Sequence, residues 1–408
     1  MPRGKIGADL ALALLTSLVR GLRKLGIVSS NGNRSTLVLP PAAPGNLGDD
    51  AMVSATLLFL RKSGVERLAI LAFGKGEEWC KWQPDFEIID LGVSRWRKAR
   101  FVVTVMRFER FYCLGADIMD GYHGERGGAR ITELASLASA AGVRVSVLGF
   151  SFNDQPTPES VRALRRLPRD VRLCVRDPVS YRRLTARLDR PIELVADVAF
   201  LLEAGAGTTA DSARQWIENE KSASRVVVGL NFNHRLFVRP DVAALDVVMG
   251  RFRDAVTALC DSGQGFSLVL IPHDYRCSKR YPGDVELAEG LLAMLPDEIR
   301  RHSMVVGRCR ASEIRSICGQ LDFVVTGLMH LAIAALERGT PLVCLSYQGK
   351  FEGLMSHLNI DGLNLDPEEA LAGFKERVLP LIAGRDEIRN KIASRLPAIK
   401  SLAQANFT

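Results

Sequence analysis

A chain of 408 residues is long enough for about two or three domains, each with its own buried core, which excludes a small module held together by disulfides. Hydrophobic residues make up 47% and charged residues 25%, far from the balance of a disordered chain. Lysine and arginine outnumber aspartate and glutamate by 54 to 46, and the net charge of +8 suits an anionic small ligand or an anionic membrane surface. No long basic run with interleaved aromatics occurs, so the charge does not argue for nucleic acid.

The first element is an apolar stretch from Ala8 to Val19, interrupted by Asp9 and followed by Arg20, Arg23 and Lys24. It is too short to span a bilayer, and its charge order is wrong for a signal peptide. The region 1–35 therefore reads as an amphipathic helix that either covers the first domain or lies on a membrane surface. Short runs of Val, Ile and Leu then alternate with helical spacing, the pattern of βα units around a buried parallel sheet. In the first half the strands are Thr36 to Pro40, Arg67 to Phe73, Phe86 to Leu91, Phe111 to Leu114, Val143 to Phe150, Arg172 to Arg176 and Glu193 to Val195. Helices are predicted at Asp49 to Lys62, Ala129 to Ala141 and Pro158 to Leu164.

Between Glu203 and Ser224 the alternation lapses into Gly, Thr and polar residues, which predicts a linker. It resumes with strands at Arg225 to Asn231, Phe266 to Pro272, Met304 to Gly307, Phe323 to Thr326 and Leu342 to Tyr347. Helices are predicted at Val242 to Cys260, Val285 to Leu295, Ala311 to Cys318, Leu331 to Arg338 and Asp386 to Gln404. The expected fold class is α/β, two Rossmann-like domains (36–205 and 224–365) in a GT-B-like arrangement with a helical segment at 366–408, and the ligand cleft at the carboxyl ends of the strands. The eight cysteines form no C-x-x-C pair and several sit in apolar runs, which suits buried thiols in a reducing, cytoplasmic compartment.

Chemistry is expected where strands end. Pro44-Gly45-Asn46-Leu47-Gly48-Asp49-Asp50 follows the first strand and opens a helix: its glycines admit a ligand to the backbone, Asn46 can bond within the turn, and Asp49 can cap the helix. The same residues also suit a plain turn with a cap. Arg176 ends a strand and can hold a phosphate or carboxylate, or pair with a neighbouring acid such as Asp177; Asp197 ends the next strand, where a helix cap is the plainer reading. His273 and His330 end what read as neighbouring strands of the second sheet, and Lys350 follows the last. No metal-ligand spacing, G-x-S-x-G or Walker A motif occurs, against hydrolase and P-loop readings.

In order, Asn46-Leu47-Gly48-Asp49, Val175-Arg176-Asp177 with Ser180, Asp197 with Phe200, Ile271-Pro272-His273, Val325 to His330, and Tyr347-x-x-Lys350-x-x-Gly353 resemble the polysaccharide pyruvyl transferase family from about Leu37 to Ile360. The resemblance implies a GT-B-like enzyme that moves the carboxyvinyl unit of phosphoenolpyruvate onto sugar hydroxyls as a ketal, with a saccharide or lipid-linked oligosaccharide as acceptor and no metal or organic cofactor. It implies donor binding by Arg176, His330, His273, Lys350, Asn46 and Gly48. It also implies His330 as the acid and Asp117 or Asp120 as the base, and a cytoplasmic protein with peripheral contact at the inner membrane face. Two departures stand out: Leu328 occupies the position of the family's usual arginine, and the loop Gly115-Ala116-Asp117 is altered. Arg308, Arg310 or Lys350 would have to supply the missing cation. The alternatives are a GT-B glycosyltransferase using a nucleotide sugar, or a non-catalytic family member that binds an anionic saccharide or a partner enzyme.

Overall fold

The computed structural model describes residues 14–22, 34–94, 96–122, 124–231, 245–277, 282–346, 351–360 and 362–408. The chain divides into two units, one of residues 1–44, 52–201 and 402–408, the other of residues 45–51 and 202–401. Each is a parallel sheet with alternating helices.

The first unit begins with α1 (residues 14–22), which turns Thr16 and Val19 inward and leaves Leu14 and Leu18 exposed. Then follow β1 (Ser35–Leu39), α2 (Leu47–Lys62, whose residues up to Ala51 belong to the second unit), β2 (Arg67–Ala72), α3 (Gly76–Trp82), β3 (Glu87–Asp90), α4 (Arg97–Val105), β4 (Arg110–Leu114) and α5 (Glu125–Ala140). After them come β5 (Arg144–Phe150), α6 (Pro158–Arg166), β6 (Arg172–Val175), α7 (Pro178–Thr185) and β7 (Glu193–Leu194). The strands order β3-β2-β1-β4-β5-β6-β7, so the chain switches direction between β1 and β4. Strands β1, β2 and β5 are buried apart from the arginines that open β2 and β5, as near-continuous apolar runs require. Helix α5 starts four residues before its predicted start, because Gly127 and Gly128 disguise it. A Cβ on Gly128 would lie 2.7 Å from the Ile118 carbonyl oxygen, so glycine lets this turn pack on the chain below. Helix α4 was hidden by its Phe-Val-Val-Thr-Val run, yet it buries Phe101, Val102 and Val105 on one face, where packing outweighs β-branched preference.

The second unit comprises α8 (Thr208–Ser222), β8 (Val226–Asn231), α9 (Leu245–Cys260), β9 (Phe266–Leu270), α10 (Asp284–Met294), α11 (Asp297–Arg300), β10 (Ser303–Val305), α12 (Ala311–Cys318) and β11 (Phe323–Thr326). It continues with α13 (Met329–Glu337), β12 (Leu342–Leu345), α14 (Glu352–Leu358), β13 (Asn364–Leu365), α15 (Pro367–Ala372), α16 (Phe374–Ala383) and α17 (Arg385–Gln404). Its order is β10-β9-β8-β11-β12-β13, with the switch between β8 and β11. The stretch 203–224 is not a linker. It holds α8, which buries Ala210, Ala213 and Ile217 along one stripe, and the division between units falls at Leu201 and Leu202. The strands expected to reach Pro272, Gly307 and Arg176 stop at Leu270, Val305 and Val175, and the last residues of each expected run form the turns that carry polar groups.

Candidate functional site

In the second unit, the chain leaving β9 is fixed by a buried carboxylate. Asp284 Oδ2 accepts the backbone N–H groups of His273 and Asp274, both at 3.0 Å, and the Asn231 side-chain amide at 3.2 Å. That amide also donates to the Ile271 carbonyl at 2.7 Å. Despite these donors, burial raises the Asp284 pKa. The turn so held pairs antiparallel with the segment after β1: Leu47 N–H donates to the His273 carbonyl at 2.9 Å, and Tyr275 N–H to the Gly45 carbonyl at 2.8 Å.

This pairing places the cap of α2. Asn46 Oδ1 accepts from the N–H groups of Gly48 at 2.8 Å and Asp49 at 3.2 Å, so Asn46, rather than Asp49, is the capping residue. Asp49 faces Arg276 instead, at 3.6 Å, and Asp50 accepts the N–H of Ala311 at 3.1 Å. Arg276 also grips Asp274 through two bonds of 2.8 Å. Burial opposes the ionised form of Asp274, but Arg276 and Asn46 bonded to its carboxylate lower its pKa.

His330 enters from the other side, as the second residue of α13. A Cβ on Gly48 would lie 2.3 Å from His330 Nδ1, so only glycine at this position admits the ring. His273 is 3% exposed, and neither of its ring nitrogens has a hydrogen-bond partner among the described residues. Burial pushes its pKa down to about 3, aided by electrostatic interaction with His330 and Arg315. Asn46, Gly48, His273 and His330 thus come together in one unit from three separate motifs. The two histidines follow β9 and β11, which flank β8 and are not neighbours as the sequence reading had them.

Leu328, half-buried, is the N-cap residue of α13 and provides no side-chain cap. Of the cations proposed to replace its arginine, Arg308 stacks over the Tyr275 ring at 5.2 Å, and Arg310 is the N-cap residue of α12, its backbone N–H donating to the Glu313 carboxylate at 2.9 Å. Lys350 lies outside the described residues, as do Tyr347 and parts of the stretches 8–24 and 242–260. Two cations went unnoticed in the sequence. Arg276 follows His273 by three residues, and Arg315, 1% exposed, shares a helical face with Ala311 and Cys318. An arginine on the apolar face of a helix was the signal that could have revealed it.

In the first unit, Arg176 is 5% exposed, and it pairs with Asp197 rather than Asp177: Nη1 donates to Asp197 Oδ2 at 2.7 Å and Nε to Ser151 Oγ at 2.7 Å. Asp197 Oδ1 accepts the Ala199 N–H at 2.8 Å, and Asp177 caps α7 through the Ser180 N–H at 2.7 Å. Asp120 is buried and accepts N–H groups from Tyr122 at 2.9 Å and Asn153 at 3.2 Å, while Asp117 is half-buried. Ala116 between them and the strand adopts φ 47°, a left-handed turn for which glycine is the ordinary choice. Among the described residues no three His, Cys, Asp or Glu side chains could share a metal ion, and no helix is long and apolar enough to cross a membrane.

Comparison with solved structures places the fold. The chain is similar to a UDP-GlcNAc 2-epimerase from Neisseria meningitidis (12% identity, 91% of this chain and 98% of that one, TM-score 0.57). It is also similar to a glycosyltransferase from Rickettsia africae (11%, 92% and 100%, 0.55) and to sucrose-phosphate synthase from Thermosynechococcus elongatus (13%, 91% and 97%, 0.51). These likenesses are of fold alone: α/β, two Rossmann-like units, GT-B-like. Among curated proteins none matches. The family model for polysaccharide pyruvyl transferase matches residues 46–349, from the Asn46 cap past the turn of His273 and the His330 helix, and the chain belongs to that family.

Proposed function

We propose that this chain is a working pyruvyl transferase that uses phosphoenolpyruvate to form a ketal on a saccharide or lipid-linked oligosaccharide. The observation that carries the reading is the joining of Asn46, Gly48, His273 and His330 in one unit, with the N-terminus of α13 beside them. In the reaction, one proton adds to the methylene carbon, which becomes the ketal methyl group. The adjacent carbon takes the first sugar oxygen, releases phosphate and takes the second oxygen. Of the two hydroxyl protons lost, one balances the proton spent and the other leaves with phosphate. His330 is the proposed acid. The neutral, buried His273 adds no charge that would repel a protonated His330. N–H groups at the start of α13 offer an anion donors that need no side chain. Asp117 is the better proposed base of the pair, because both carboxylate oxygens of Asp120 already bind backbone. Arg176 is the proposed donor-binding cation of the first unit, held ready by Asp197 and Ser151.

Leu328 favours one second reading, a family member that keeps the scaffold and uses another donor or none. Calorimetry with phosphoenolpyruvate separates the two. Binding by the natural chain supports the first reading, and Leu328→Arg should then tighten it or leave it unchanged. Binding only after Leu328→Arg supports the second, and absence of binding in both chains ends the pyruvyl reading.

A further inference from the structure

A cavity of about 1060 Å³ lies in the first unit, bordered by the chain just past β1 and β2, the beginnings of α4 and α5, and α6. Five cations line it, Arg97, Lys98, Arg126, Arg130 and Arg166, against one carboxylate, Glu133, which is ion-paired with Lys98. Among the described residues no carboxylate pairs with the four arginines.

Their positions make the cluster costly to the free chain. Arg97 and Lys98 open α4, whose first turn contains no acid, and Arg126 lies in the first turn of α5 with Arg130 one turn on. A helix N-terminus carries partial positive charge, so cations there are disfavoured, and like charges four apart on a helix repel. The Arg130 guanidinium sits over the Phe73 ring at 5.6 Å, and its pKa is lowered, first by burial and then by Arg97. Apart from the Lys98–Glu133 pair and the contact of Arg130 with Phe73, these charges oppose one another and the helix N-termini, and an anion set among them would replace that repulsion with attraction. The cavity far exceeds one phosphate group, and it lies at the carboxyl ends of β1 and β2, where open α/β sheets take ligands.

We propose that this cavity binds a diphosphate group, gripped by Arg97, Arg126, Arg130 and Arg166, with Phe73 flooring the site. Its identification as the diphosphate of a carrier-linked saccharide acceptor rests on the proposed function; the site itself does not.

Calorimetry on the full chain with inorganic pyrophosphate should give saturable binding that weakens with added salt. Arg97→Gln combined with Arg130→Gln should weaken it about tenfold or more, whereas Arg395→Gln, at an exposed position of α17, should not. The double variant should melt no lower than the natural chain, because repulsion has been removed. Should it fail to fold, Arg166→Gln, at the exposed end of α6, carries the same test through a smaller loss. A short-chain prenyl diphosphate binding more tightly than pyrophosphate identifies a lipid carrier; uridine diphosphate doing so identifies a nucleotide carrier. Pyrophosphate binding that survives the arginine substitutions, or that only His330→Ala abolishes, overturns the proposal, as does its absence in the natural chain. Phosphoenolpyruvate binding, read separately through His330→Ala and Leu328→Arg, fails or stands independently of this result.

Discussion

His273 offers a sharp test of the second unit's electrostatics. A histidine in an unfolded chain titrates near 6.5, whereas this one remains neutral down to about 3, held there by burial and by His330 and Arg315. The unfolded chain therefore takes up a proton that the native chain refuses. The stability this residue contributes is complete above the unfolded pKa and is lost as pH falls from about 6.5 toward about 3. Each pH unit in that window costs about 1.4 kcal/mol, so moving from about pH 7.5 to about pH 5 should cost about 2 kcal/mol through His273 alone. His273→Gln removes this titration, whatever fixed penalty the amide carries. Urea unfolding of both chains at the two pH values, followed through Trp216 of α8 after replacing the other tryptophans, reads the difference in slope. If natural chain and variant lose stability in parallel, the ring is protonated in the native state and the account of a neutral buried histidine is wrong.

Three more outcomes follow from the same geometry. Gly48→Ala drives a methyl group to 2.3 Å from His330 Nδ1 and should lower phosphoenolpyruvate affinity about tenfold with an unchanged circular dichroism spectrum; unaltered affinity would separate the His330 ring from the donor. Arg176→Met strands the buried Asp197 carboxylate and should cost about 3–5 kcal/mol, much of it regained on adding Asp197→Leu, as denaturant midpoints would show. Thiol labelling of the native chain should modify exposed Cys80 and Cys277 first and leave Cys113, Cys174, Cys318 and Cys344 until denaturant is added, their burial having raised each thiol pKa; early labelling of Cys344 would contradict its placement in β12.

The strands were legible because a buried parallel sheet writes itself as runs of Val, Ile and Leu, as in Phe323–Thr326, where expectation and structure coincide. Helix Ala311–Cys318 was likewise bounded as expected. What escaped were elements whose local chemistry points elsewhere. Helix α8 begins after Gly205 and Gly207, whose lack of side chains serves close packing, since a Cβ on Gly207 would meet Glu313 Oε1 at 2.0 Å. Histidines at strand ends could be found from the alternation, but not their company. That Asn46 caps α2 while its neighbour Gly48 clears space for His330 depends on a pairing between residues some 230 positions apart, for which no local pattern exists. An ion pair of Arg176 with a nearby acid such as Asp177 was one of its two expected roles, yet its partner Asp197 lies beyond helical or hairpin range and could not be chosen over Asp177 from spacing.

The seven residues 402–408 belong with the first unit, although about two hundred positions separate them from β7. The Asn406 side chain donates to the Ala196 carbonyl at 2.9 Å, Arg172 donates to the carbonyls of Ala405 and Asn406 at 3.3 Å, and the Phe407 ring stacks on Phe59 at 4.8 Å. On a ribosome, the amino-terminal sheet can form early but must wait for these residues, with Phe59 and the groups around Ala196 still open to solvent. Residues 45–51 wait in the same way for the second sheet. Biogenesis is thus interleaved rather than sequential, and cutting the gene at the boundary after Leu201 would leave each half without a strip of its own interior.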